Sequence, residues 1–202
     1  TTSLLILIFF KYSGFIIDNV NGIFGTSLHM VKINLPIGIS FYTFQIISYV
    51  IDVYKGEVDA QKSPFKLLLY VSLFPQLIAG PIVRYKDIAE DIDNRVETAA
   101  GFNYGVSRFI MGLGKKVIIA NTAGKTAEAF MGTDYTRLPV LGAWFGILLF
   151  AIQIYFDFSG YSDMAIGLGK MFGFTYKENF NYPYISRSVT EFWRRWHISL
   201  SS

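Results

Sequence analysis

Three stretches of this chain, residues 33–51, 67–83 and 138–156, carry no charged side chain over 19, 17 and 19 residues. About 20 apolar residues make a helix long enough to cross the hydrocarbon core of a bilayer. The first and last stretches reach that length, and the middle one sits at its lower limit. Core helices of soluble proteins are the alternative, but those usually keep a polar face. "LPVLGAWFGILLFAIQIYF" (138–156) has only Gln153 to offer one. Charged residues make up 16% of the chain, below the roughly 25% of soluble domains. The implied fold class is all-α: a polytopic membrane protein with spanning, broken or re-entrant, and interfacial helices.

The chain has no cysteine, which excludes disulfides and thiolate metal sites. No resident cofactor or metal is expected. A net charge of +3 is too small to argue for nucleic acid. In this class Lys and Arg more often mark cytoplasmic loops. The opening "TTSLLILIFF" reads as the tail of a spanning helix, and "WHISLSS" closes without a stop signal. Residues 1–202 are therefore expected to be one partial membrane domain of a longer protein.

Residues 11–32 read as a polar connector rich in Gly and Asn, and 52–66 as a solvated loop. Pro75 and the "AGP" of 79–81 interrupt the middle apolar block, which predicts a kinked or broken segment. Residues 84–97 are acidic on balance and expected at the surface. Residues 101–125 hold four cations and no acid, which suits an interfacial or re-entrant helix with cations reaching toward head groups. A small-residue segment (157–174) follows the last span, and 175–188 read as an aromatic loop at interface depth.

"GLGKK" (112–116) and "AGKT" (123–126) suggest phosphate loops, but the first Gly of that pattern would fall on Ile119 and no strand precedes it. A nucleotide site is rejected. Asp157 and Asp163 lie six apart, so they face different sides of a helix. Asp157 either serves function at the end of an apolar run or ends the span at the interface, bonded to Tyr or Ser hydroxyls. His29 reads as a solvated loop histidine.

"SVTEFWRRWHISL" (188–200) is the densest polar and aromatic stretch. Ser188 and Glu191 form a capping box. A helix from there places Phe192, Trp196 and Leu200 on one line, and Val189, Trp193 and His197 on the next. Glu191 can pair with Arg194 or Arg195. Burial and like charge disfavour the imidazolium of His197, and a neutral imidazole can act as a general base. Arg194 and Arg195 could hold an anion or a developing oxyanion. The same residues also suit an interface anchor.

The chain resembles the membrane-bound O-acyltransferase family, in its alginate O-acetylation branch. The resemblance is carried by "LPIGISFYTFQIISYVIDVYKGE" (35–57), "YVSLFPQLIAGPIVRYKDI" (70–88), "IQIYFDFSGYSDMAIGLGKMFGF" (152–174) and "ENFNYPYISRSVTEFWRRWHISLS" (178–201). It implies a multi-pass protein of the bacterial inner membrane, embedded in the lipid bilayer. Such a protein would pass acyl groups from a cytoplasmic thioester such as acetyl-CoA toward hydroxyls of an exported polysaccharide, with a periplasmic acetyltransferase as partner. His197 falls on the family's tunnel histidine, while Trp193, Arg194, Arg195 and Asp157 match lining or structural positions. The resemblance also implies further spans upstream and a second, catalytic histidine downstream, so this piece alone is expected to be inactive. A transporter or polymer-export component without chemistry of its own would suit the broken helices and Asp157 too.

Overall fold

The computed structural model describes residues 2–29, 34–36, 38–76, 83–132 and 138–201. They are helical almost throughout; among them the β pairing is an isolated antiparallel bridge between Phe180 and Trp196. The chain divides into two compact units, Thr1–Ile78 with Arg84–Lys86, and Ala79–Val83 with Asp87–Ser202.

In the first unit, α1 (Thr2–Phe24) corrects the expected connector: the helix runs straight through Lys11. Phe15, Ile16, Ile17, Val20, Ile23 and Phe24 supply enough apolar surface to continue it, and Asn19 donates to the Phe15 carbonyl inside it at 2.6 Å. It stops where Gly25 turns left-handed (φ 63°), with the Asn21 carboxamide accepting from Thr26 and Leu28 at 2.8 and 2.9 Å. Helix α2 (Ile39–Tyr54) begins after left-handed Gly38 and continues past Asp52. Residues 33 and 37 of the expected span lie outside the described residues, so α2 covers its C-terminal part. Helix α3 (Pro64–Ser72) ends before an extended Leu73 and a 3₁₀ turn (Phe74–Gln76), as Pro75 demands. The "AGP" break lies outside the described residues. Tyr85 packs edge-on against Tyr49 and Tyr70, with ring centroids 5.0 and 5.3 Å away.

Residues 84–97 contain helix α4 (Tyr85–Asn94), which buries Tyr85, Ile88 and Ile92 and exposes much of its acidic side. Four-residue and three-residue spacing of apolar side chains makes it amphipathic.

The second unit is built on an antiparallel helical hairpin. Its first arm is α5 (Ala99–Gly114), a wider π-helical turn (Lys115–Ala120) and α6 (Asn121–Met131), helical without a gap. Its second arm is α7 (Val140–Met171), 32 residues and about 48 Å long. The helix expected at 101–125 is present and lies along α7. Its Arg108, Lys115 and Lys116 reach carboxylates rather than head groups. The separate segment expected after residue 156 is likewise the second half of α7. Close approach of the arms requires glycine: a Cβ on Gly105 would lie 2.5 Å from the Gly167 carbonyl, and one on Gly112 2.5 Å from that of Gly160. Small residues at helix contacts are the usual packing device in membranes. Among the described residues, α1 and α7 are the helices long and apolar enough to cross a bilayer.

Candidate functional site

The "SVTEFWRRWHISL" stretch forms two short helices, α8 (Val189–Arg195) and α9 (Ile198–Ser201), not one. Ser188 Oγ caps α8 by accepting from the Glu191 amide at 3.1 Å. Glu191 reaches back to the Arg187 amide at 2.9 Å, one residue before the expected box partner. Of the two expected arginine partners, Arg195 pairs with Glu191, its Nε donating at 3.0 Å.

After Arg195 the chain leaves helical geometry. Trp196 is extended and bridges Phe180, and the Asn181 amide donates to the Arg195 carbonyl at 2.9 Å. His197 is left-handed (φ 48°). For a non-glycine residue that conformation costs about 1–3 kcal/mol. The predicted lines 192/196/200 and 189/193/197 are therefore not continuous helix faces. Pairing with residues 179–181 captures the backbone groups at 195 and 198 that a continuous helix would have used.

An aromatic cluster on α7 receives this turn. Phe158 lies 4.9 Å from the His197 ring, centroid to centroid, and 5.0 Å from Phe180. Trp196 meets Phe180 edge-on at 5.1 Å and stacks on Phe192 at 5.5 Å. His197 is half-buried, and burial holds its pKa below the ordinary histidine value. Burial therefore favours the uncharged imidazole over the imidazolium.

The remaining predicted residues are dispersed. Trp193 is 52% exposed, edge-on to Phe192 at 5.5 Å, and Arg194 is exposed. Asp157 sits in mid-helix, so it does not end α7. Its partner is Lys116 Nζ at 2.5 Å rather than a Tyr or Ser hydroxyl. His29 is exposed in a loop, as expected. The abandoned phosphate-loop stretches are helical.

The sequence reading missed a charge cluster. Asp163, nearly buried, accepts from Arg108 Nε at 2.8 Å and from Lys115 Nζ at 2.6 Å. Arg108 also grips Glu178 at 2.6 Å. These four residues line a cavity of about 480 Å³ together with Ser159 and Ser162. Both serine hydroxyls are buried and lack a partner among the described residues. A signal was present: Arg108 and Lys115 are seven apart, on the same helix face as Gly105 and Gly112. Ile198, the residue after His197, lines the same cavity.

A model of the membrane-bound O-acyltransferase family matches residues 57–202. The chain is 50% identical over 98% of its length to the "Probable alginate O-acetylase AlgI" of Pseudomonas putida, covering 41% of that protein. It is 38% identical over 96% of its length to a "Peptidoglycan O-acetyltransferase" of Helicobacter pylori, covering 42% of it. A "Teichoic acid D-alanyltransferase" of Bacillus subtilis is 31% identical over 82% of the chain, again with 42% covered. The chain thus spans about two fifths of the length of these relatives. The matched region holds the hairpin, its charge cluster and the His197 turn, and on this similarity the chain belongs to the membrane-bound O-acyltransferase family.

Proposed function

We propose that residues 1–202 are part of a single membrane domain of a polysaccharide O-acetyltransferase, multi-pass in the bacterial inner membrane. The enzyme passes acetyl groups from a cytoplasmic thioester, acetyl-CoA or a close analogue, toward hydroxyls of an exported alginate-like polysaccharide. A periplasmic acetyltransferase partner completes delivery. The observation that supports this reading most directly is His197: a half-buried imidazole held in a left-handed turn against Phe158, where burial disfavours its charged form.

In this mechanism the imidazole nitrogen of His197 takes the proton of the acceptor hydroxyl. The hydroxyl oxygen attacks the thioester carbonyl, the C–S bond breaks, and the departing thiolate receives the proton as thiol. Hydrogen-bond donors around the carbonyl stabilise the oxyanion. Arg194 and Arg195 serve as lining, together with Trp193 and Asp157, and a histidine of the complete enzyme shares the proton work.

The test uses the full-length protein in membranes. His197→Ala is expected to abolish polymer acetylation while the protein stays in the membrane at its normal level. Unchanged acetylation removes His197 from the mechanism. Radiolabelled acetyl-CoA separates the enzyme from a transporter: label on polymer or partner protein supports acyl transfer, and polymer flux without label overturns it.

A further inference from the structure

The turn that presents His197 is clamped from one side by a residue with no chemistry of its own. Asn179 is fully buried. Its carbonyl accepts from the Ile198 amide at 3.0 Å, and its side-chain Oδ1 accepts from the Ser199 amide at 3.2 Å and the Ser199 hydroxyl at 2.9 Å. Three hydrogen bonds therefore land on the two residues that follow His197. On the other side, the Asn181 amide holds the Arg195 carbonyl and Phe180 bridges Trp196. The His197 carbonyl accepts from the Leu200 amide at 2.9 Å.

A left-handed non-glycine residue persists only where its surroundings over-determine it. Here the over-determination comes from 179–181. That strip is itself anchored to the hairpin, because Glu178 is held by Arg108, which also holds Asp163. Relaxing the strip would let residues 196–198 return to helical dihedrals, and the imidazole would swing away from Phe158.

We infer that Asn179 is a positioning residue: through Ile198 and Ser199 it fixes the left-handed backbone of His197 and so aims the imidazole at the reacting hydroxyl. The inference rests on the role given to His197 above, but the hold on the ring can be measured apart from that role.

The experiment takes the full-length protein in membranes with Asn179→Ala, Asn179→Asp and Ser199→Ala. It reads two things: acetylation kinetics, and peptide-resolved carbethoxylation of His197 by diethyl pyrocarbonate, with exposed His29 as internal reference. Asn179→Ala is expected to lower kcat roughly ten- to a hundredfold, since small misplacements of a reacting group have effects of that order. KM for the thioester stays the same. Carbethoxylation of His197 changes severalfold while that of His29 does not. Asn179→Asp keeps an oxygen for Ser199 but places an ionisable carboxyl group in a fully buried position, so it recovers part of the activity lost in Asn179→Ala. Ser199→Ala gives a smaller change in the same direction, and it carries the test where Asn179→Ala does not accumulate.

Unchanged carbethoxylation of His197 in these variants overturns the inference. Altered carbethoxylation with normal acetylation upholds the hold on the ring and instead removes His197 from the proposed chemistry.

Discussion

The two halves of α7 are one continuous helix with opposite surroundings. Up to Phe156 it is apolar and turned outward: Val140, Leu141 and Trp144 are exposed, and the buried positions are Gly142 and Gly146. From Asp157 on it is small and polar and turned inward, burying Ser159, Gly160, Ser162, Asp163, Gly167 and Gly169. The first half has a surface suited to lipid, where hydrocarbon replaces tertiary contacts. The second half is packed against α5, so that each buried polar atom needs a protein partner or a ligand. Hydropathy describes the first half well and says nothing about the second.

The largest effect should come from the carboxylate that separates the halves most. Asp163→Ala leaves Arg108 and Lys115 facing each other without their shared counter-charge. Breaking a buried pair from one side costs about 3–5 kcal/mol. Loss of most of the folded full-length protein is expected, read as membrane abundance and detergent melting temperature. A variant that melts normally would show that the cluster is hydrated and that the second half is not a dry core.

Next comes packing. Gly112→Ala sets a Cβ 2.5 Å from the Gly160 carbonyl and 2.8 Å from the Met164 amide, where no flexible side chain can give way. Overpacking of this kind costs about 1–3 kcal/mol. Gly146→Ala in the first half meets the Phe130 Cβ at 3.1 Å and should cost clearly less. Equal losses in melting temperature would erase the contrast between the halves.

The legible part of this fold was the part governed by composition. The uncharged run at 138–156 announced a spanning helix, and Pro75 announced a break. The rest depended on partners distant in sequence. Cations at 108–125 look like head-group anchors until Asp157, Asp163 and Glu178 are placed beside them. Residues 11–32 read as a connector because Gly and Asn recur there, yet the apolar residues between them up to Phe24 suffice to continue α1. At the site, local helix signals in 188–200 were real but incomplete: α8 is capped as expected, and the break at His197 is imposed by Asn179 and Asn181, some 16 to 18 residues upstream. Burial of His197 within an aromatic setting was legible. Its left-handed backbone was not: histidine is among the non-glycine types enriched at positive φ, but that enrichment is too weak to mark one position without the partners at 179–181.

A smaller effect follows from the contact at the junction of the halves. Burial lowers the His197 pKa from 6.5, so the imidazole stays neutral at pH values where an exposed one would protonate. In the proposed mechanism acetylation therefore falls off only below pH 6.5, as proton uptake removes the base. The sign for stability is the same: the unfolded chain binds this proton more readily, so stability is full above 6.5 and declines as pH falls toward the lowered value. Phe158→Ala exposes the ring and should move the acid limb of the rate profile upward, toward 6.5. An unmoved limb would mean that the titrating base is another group.

The smallest effect tests where the boundary between the halves lies. Asp157 and Lys116 form a pair whose side chains are 41% and 38% exposed. A pair that open to water contributes about 0–1 kcal/mol, so Asp157→Asn should barely move the melting temperature. Lys116→Met and the double variant should do no worse, because removing both charges leaves neither stranded. A loss approaching that of Asp163→Ala, recovered in the double variant, would mean that the pair is shielded from water. The dry, polar packing that begins at Ser159 would then reach back to Asp157, and Lys116 would join Arg108 and Lys115 as a cation the helix cannot do without.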